Sequence, residues 1–180
     1  MQRAIFLDRD GVINKVIFRE NSNKPKSPRK FEEFELIEGV EDFLKKLKEK
    51  EFLTIIVTNQ PDVARGFTSW ETLNKMHNFI KENLSIDDIY TCPHDDNSSC
   101  QCRKPKPGML RQAAKKWDVD LKNSFLIGDN WRDIGAGENA GCTTILIDYP
   151  YNKKIKSDFR VDDLKCAGKI ILKNNEEKGK

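Results

Sequence analysis

The sequence predicts a three-layer α/β domain, a parallel sheet with helices on both faces. Short continuous apolar runs recur along the chain, which is how strands covered on both sides read. Segments with apolar residues at helical spacing stand between those runs. The chain has 180 residues, 37% hydrophobic and 34% charged, which suits one domain with a sizeable core and a well-solvated surface.

The elements follow in order. Ala4-Ile5-Phe6-Leu7 is the first apolar run, followed by a Pro- and Lys-rich loop. Val40, Phe43, Leu44 and Leu47 lie on one face of a helix, and Phe52 to Val57 is the second strand. Thr68 with Glu71 has the pattern of a capping box opening a helix that carries Leu73, Met76, Ile80 and Leu84. A brief strand at Ile89-Tyr90 precedes a Cys/His segment, and Pro107 suits the first turn of a helix through Trp117. Ser124 to Ile127 is a strand, then comes a helix with Ile134 and Ala136, then a strand from Thr143 to Ile147. A weaker strand and helix are expected from Phe159 to Leu172. One domain therefore spans 1–172, and 173–180 is a charged, frayed tail.

Composition excludes several functions. A net charge of +3 is too small to argue for nucleic acid, and the cluster Lys24-Pro25-Lys26-Ser27-Pro28-Arg29-Lys30 reads as an exposed loop. No segment has the length or composition of a signal peptide or a membrane span. Of five cysteines, three crowd around one histidine, which points to metal binding in a reducing cytosol rather than to disulfides. The expectation is a cytoplasmic monomer with no nucleic-acid or membrane partner.

Polar chemistry sits where strands end. Asp8 and Asp10 follow the first run with Gly11 behind them, Thr58-Asn59 follows the second, and Gly128-Asp129 follows the fourth. In a parallel sheet those ends share one edge, where such folds bind ligands. One carboxylate could attack an electrophile while the other moves protons, and together they could hold a hard divalent cation. Arg103-Lys104 brings cations just ahead of a helix. These are the parts needed to hold and transfer a phosphoryl group.

The four clusters resemble the motifs of the haloacid dehalogenase (HAD) superfamily of aspartate-nucleophile phosphatases: Asp8-Arg9-Asp10-Gly11, Thr58-Asn59, Lys104 within Arg103-Lys104-Pro105, and Gly128-Asp129 with Asp133. Thr58-Asn59-Gln60, Ala64-Arg65-Gly66 and the segment Cys92 to Pro105 are similar to the branch holding D-glycero-D-manno-heptose 1,7-bisphosphate phosphatases and histidinol-phosphate phosphatases. The resemblance implies a Rossmann-like HAD fold. Asp8 would be the nucleophile and Asp10 the acid and base. Mg2+ would lie on Asp8, the main-chain carbonyl of Asp10, and Asp129. Thr58 and Asn59 would donate to the phosphoryl group, Lys104 would neutralise it, and Asp133 would support the loop. Arg65, Arg103 and Asn130 would touch substrate, most simply a heptose 1,7-bisphosphate losing its 7-phosphate. A histidinol phosphate is the alternative substrate, and a non-catalytic zinc-stabilised phosphate-binding module the alternative of another class. The connections are too short for a separate cap domain. Pro61 and Asp62 depart from the Ser and Gly-like residues of better-known relatives.

Cys92, His94, Cys100 and Cys102 offer three thiolates and an imidazole, a set suited to closed tetrahedral Zn2+. All four positions are filled, so the zinc is expected to be structural. It would fix where Arg103 and Lys104 point, since both follow Cys102 directly.

Overall fold

The computed structural model describes residues 1–20 and 23–178. Six strands form one sheet: β1 (Ala4–Leu7), β2 (Leu53–Asn59), β3 (Asp88–Cys92), β4 (Phe125–Gly128), β5 (Thr143–Ile147) and β6 (Phe159–Val161). Their order is β3-β2-β1-β4-β5-β6, and all five pairings are parallel. Five helices accompany them: α1 (Val40–Lys48), α2 (Trp70–Asn83), α3 (Gly108–Trp117), α4 (Trp131–Ala140) and α5 (Leu164–Lys178).

The alternation of side chains along each strand decides which helices cover which face. Ile5, Leu7, Ile56, Ile127, Ile145 and Ile147 pack with Phe43, Leu44 and Leu47 of α1, Ile80 of α2, and Ala167 and Ile171 of α5. Ala4, Phe6, Ile55, Val57 and Leu126 face the other way, against Met109, Leu110 and Ala113 of α3 and Ala136 of α4. The chain crosses from one side of β1 to the other between β3 and β4, so the sheet changes winding direction at β1 and β4. Crevices at such switch points, beyond the carboxyl ends of the strands, are where these sheets take ligands. Among the described residues neither long connection folds into a separate cap domain, and no helix is long and apolar enough to cross a membrane.

Three expectations are corrected. Ser69, not Thr68, caps α2: its Oγ accepts from Thr72 N at 3.0 Å, while Thr68 Oγ1 donates to Arg29 O at 2.9 Å. The capping-box spacing was read one residue early because both hydroxyls precede the same apolar stripe. Pro107 likewise stands just outside α3, at its N-cap position. α5 continues to Lys178, so the tail expected from Lys173 is helical that far. The last two residues of that tail, and Asn21 at the head of the basic stretch before Lys30, lie outside the described residues.

An N-cap hydroxyl typically contributes about 0.5–2 kcal/mol. Ser69→Ala should therefore lower unfolding stability by about 1 kcal/mol in a denaturant titration. A change indistinguishable from zero would show that the cap does not matter to α2.

Candidate active site

The ends of β1, β2 and β4 converge as the sequence requires, and a buried lysine joins them. Lys104 Nζ lies 2.9 Å from Asp8 Oδ1, 2.6 Å from Asp133 Oδ1 and 2.7 Å from Val57 O. An ammonium has three N–H groups, so all are used. Asn59 holds the same residue from behind. Its amide nitrogen donates to Lys104 O and its oxygen accepts from Lys104 N, both at 3.1 Å. The side chain of Asn59 thus grips the backbone of Lys104 and keeps one amide N–H on the cavity it lines.

Asp8 begins where β1 leaves the sheet, and its Oδ1 accepts from Arg9 N at 2.7 Å. Burial, and then the Asp133 carboxylate, push its pKa up to about 7 against the pull of Lys104. Asp129 is raised well above the ordinary range by burial, and then by Asp133 and Asp8. Tyr151 OH donates to Asp129 Oδ2 at 2.5 Å, and Asn152 Nδ2 donates to Asp129 O at 2.7 Å. Gly11 is required here. Its φ is +85°, and a Cβ would stand 2.4 Å from Asp129 Oδ2.

Ligand oxygens of Asp8, Asp129 and Asp133 lie within 4.8 Å of one another, with Lys104 the one cation in direct contact with the cluster. Two buried carboxylates and a partly buried one against one ammonium leave an excess of negative charge that a hard divalent cation would balance. The donor set thus fits Mg2+. Asp133 is nearby, but Oδ1 meets Lys104 and Oδ2 accepts from Asn130 N at 3.0 Å. That leaves Asp133 to support the loop. Asn130 caps α4 through its side chain, which accepts from Arg132 N at 3.3 Å, and it also lines the cavity.

Asp10 lies among donors. Arg9 Nη2 and Nε reach its Oδ1 at 2.8 and 3.2 Å, and Asn14 Nδ2 does so at 3.0 Å. Ser27 Oγ and Gln60 Nε2 each reach Oδ2 at 2.8 Å. Burial would raise its pKa, but the Arg9 charge and these hydrogen bonds outweigh it and hold the carboxyl below its ordinary range. Arg9, fully buried, was invisible as a functional residue in the sequence: it reads as a charge between two aspartates. So were Tyr151 and Asn152, which reach Asp129 from far along the chain. Gln60 carried a signal, since it follows Thr58-Asn59 directly.

A cavity of about 990 Å³ opens above these groups. Asp8, Asp10, Lys104 and Asp129 line it with Lys26, Arg29, Arg65, Arg103 and Arg132. Asp96 draws the last three together: Arg103 at 2.6 Å, Arg65 at 2.8 Å and Arg132 at 3.4 Å. Arg29 Nε pairs with Asp62 Oδ2 at 2.7 Å, so the residue that departs from the family pattern orients a rim cation.

The Cys/His set also assembles. Cys92 Sγ is 3.8 Å from Cys100 Sγ and 3.6 Å from His94 Nδ1, and Cys102 Sγ is 3.3 Å from His94 Nδ1. Tetrahedral bonds of ~2.3 Å to sulfur place two thiolates roughly 3.8 Å apart, so the cluster has the dimensions of a Zn2+ site. The loop is tied down around it. Lys106 Nζ donates to Cys100 O at 2.7 Å, and Arg103 Nη1 donates to His94 O at 3.1 Å.

Comparison with known proteins agrees with this geometry. The HAD-hydrolase-like family model matches residues 101–165. A D-glycero-alpha-D-manno-heptose-1,7-bisphosphate 7-phosphatase of Campylobacter jejuni is 39% identical over 150 residues, 81% of each chain. A D-glycero-beta-D-manno-heptose-1,7-bisphosphate 7-phosphatase of Bordetella bronchiseptica is 35% identical, covering 81% of this chain and 80% of that one. The crystal structure of the D,D-heptose 1,7-bisphosphate phosphatase of B. bronchiseptica with magnesium and phosphate superposes with a TM-score of 0.81. It is 29% identical and covers 96% of this chain and 99% of that one.

His77 yields a pH prediction. It packs on Arg9, whose Nη1 is 3.5 Å from Nε2. A guanidinium only donates, so Nε2 accepts and the ring is neutral. Burial, and then the Arg9 charge, push its pKa from an ordinary 6.5 down to about 3. Below pH 6.5 the unfolded chain binds a proton at His77 that the folded chain does not, so stability falls with pH until about 3. Urea unfolding at pH 7 and pH 5 should show a smaller acid loss for His77→Gln than for wild type. Equal losses would remove His77 from that role.

Proposed function

The chain belongs to the haloacid dehalogenase-like hydrolases, and on that premise we propose that it is a cytoplasmic, monomeric, Mg2+-dependent phosphatase removing the 7-phosphate of a D-glycero-D-manno-heptose 1,7-bisphosphate. The observation that carries this reading is Asp8 at the end of β1, bonded to buried Lys104 and beside Asp129, on the floor of a cavity rimmed by arginines.

Held by Asp8, Asp129 and the main-chain carbonyl of Asp10, Mg2+ would supply the positive charge that lets an anionic carboxylate approach an anionic phosphate. Because the three N–H groups of Lys104 are already bonded, a phosphoryl oxygen reaches it by taking the place of Asp8. That exchange frees the Asp8 oxygen for attack. Asp8 attacks phosphorus, the bond to the sugar oxygen breaks, and Asp10 delivers its proton to the departing oxygen. Asp10 then removes a proton from water, which attacks the aspartyl phosphate, releases phosphate and restores Asp8. The acceptor-only Asp10 seen in the structure matches the second half of this cycle; for the first half it must take up a proton. Thr58 donates to the phosphoryl group. Arg65 and Arg103, with Arg132, face the second phosphate once it displaces Asp96. Among the described residues the rim offers a cationic amine such as that of histidinol phosphate only Asp62 and Asp96 as counter-charges, both already paired with arginines.

Cys92, His94, Cys100 and Cys102 hold a structural Zn2+ in this reading, supported by the spacing of their ligand atoms. It anchors the segment from which Arg103 and Lys104 project.

Turnover of heptose 1,7-bisphosphate, with inorganic phosphate released from the 7-position, tests the substrate. Histidinol phosphate run in parallel should be a far poorer substrate, and the reverse ranking would reject the assignment. Asp8→Asn should abolish turnover with the fold retained. Substantial residual activity would reject the covalent route.

Cys102→Ser should lose zinc by elemental analysis and lower activity on the order of a hundredfold through misplaced cations, while Mg2+ titration changes little. A zinc-free variant with full activity would sink the positioning role.

A further inference from the structure

Gln60 is 1% exposed and touches both halves of the catalytic apparatus. Its Nε2 lies 2.8 Å from Asp10 Oδ2 and 2.8 Å from Thr58 Oγ1, one N–H for each. Its backbone N–H donates to Cys92 O at 2.7 Å, which ties the residue to the end of β3. Its Oε1 is buried and has no hydrogen-bond partner. A buried acceptor left unpaired is destabilising. Turning the amide over would set that oxygen against the Asp10 carboxylate, an acceptor facing an acceptor. The acid therefore dictates which end of the amide faces the site.

We propose that Gln60 is a positioning residue for phosphoryl transfer: its single NH2 group fixes the Asp10 carboxylate and the Thr58 hydroxyl relative to one another. The proposal rests on the phosphatase reading and deepens it. Arg9 and Asn14 gather on Asp10 Oδ1, while Oδ2 is held by Ser27 and Gln60, with Arg9 Nη2 further off at 3.2 Å. Of these donors only Gln60 also reaches Thr58. Thr58 is fully buried, and Gln60 is the partner of its hydroxyl among the described residues. Accepting from Gln60 leaves the hydroxyl proton unspent among the described residues. With the NH2 removed, Thr58 Oγ1 can rotate and Asp10 Oδ2 keeps only the lateral hold of Ser27 and Arg9. Shifts of that size at a reacting centre are costly to rate without removing any group that touches substrate.

The test separates positioning from a general structural role. Gln60→Met approximates the side-chain volume and removes the NH2; Gln60→Glu keeps the shape and replaces the NH2 with oxygen. Each is compared with wild type on an alkyl phosphate that the enzyme turns over and on p-nitrophenyl phosphate. An alkoxide needs a proton from Asp10 as it departs, whereas p-nitrophenolate leaves without one. For either variant, kcat on the alkyl ester should fall about 10- to 100-fold with KM within about threefold, and the aryl ester should lose several-fold less. Thr58→Val combined with Gln60→Met should lose less than the product of the single losses, because the pair acts together. Equal losses on both esters, unchanged kcat, or strictly multiplicative losses would overturn the proposal. Thermal unfolding identifies a variant that has not folded, and the other variant is then read alone. A wild type that hydrolyses other alkyl phosphates but not heptose bisphosphate would reject the substrate assignment and leave the role of Gln60 to be judged by the same ratios.

Discussion

The buried ammonium of Lys104 is the contact on which the site depends. It joins Asp8 at the end of β1, Val57 O on β2 and Asp133 on α4, three elements that meet nowhere else in sequence. Burying a charge is costly unless it is paired and fully hydrogen-bonded, and Lys104 meets both conditions. Burial alone would lower its pKa; the carboxylates of Asp133 and Asp8 outweigh that and raise it. The lysine therefore holds its proton more firmly than a free one. Removing one partner from such a pair generally costs on the order of 3–5 kcal/mol, because the other is left buried and unpaired. Stability and catalysis thus draw on the same atoms. The carboxylate proposed to attack phosphorus is also one that holds the lysine in place.

That sharing explains the surplus of acid around it. A single carboxylate would satisfy Lys104 and then lose its nucleophilic freedom. With Asp133 also bonded, Asp8 can leave the ammonium to a phosphoryl oxygen while the lysine keeps a partner. Burial, and then the neighbouring carboxylates, raise the pKa of Asp129 and Asp8, a strain that a cation would relieve. A divalent ion and an anionic substrate relieve opposite imbalances: the ion answers the carboxylates, and the phosphoryl group answers Lys104 together with the ion. Neither works as well alone.

Much of this was legible in the sequence. Apolar runs such as Ala4-Ile5-Phe6-Leu7 admit little besides buried strands, and parallel strands put their ends on one edge, so Asp8, Thr58 and Asp129 had to meet. The Cys/His set was legible because soft ligands at close spacing have few other uses. Side-chain partnerships were not legible. Nothing in Arg9 announces that it is buried against Asp10, and nothing in Tyr151 that its hydroxyl reaches Asp129, since both depend on how distant segments fold over one another. Asn59 shows a subtler limit. The motif points to the cavity that Asn59 lines, but its grip on the backbone of Lys104 follows only from the position of the Cys/His loop. The neighbouring hydroxyls Thr68 and Ser69 failed for a local reason: an N-cap is chosen by backbone direction, and two adjacent candidates differ in sequence by nothing that records it.

The Cys/His loop is best understood through what it must hold still. Arg103 and Lys104 are adjacent, yet one reaches the cavity rim at Asp96 and the other lies on its floor. A mobile loop would let both cations swing with every opening, and long flexible side chains lose rate through small displacements. Asn59 clamps the backbone of Lys104, and Lys106 and Arg103 clamp the loop by its carbonyls. A metal at the four ligands would close that frame at its far end. With no cap domain among the described residues to press substrate into place, rigid short loops take over that task. The cations must already stand where the phosphates will arrive, and the counter-ions Asp62 and Asp96 keep them there until an anionic substrate takes over the contact.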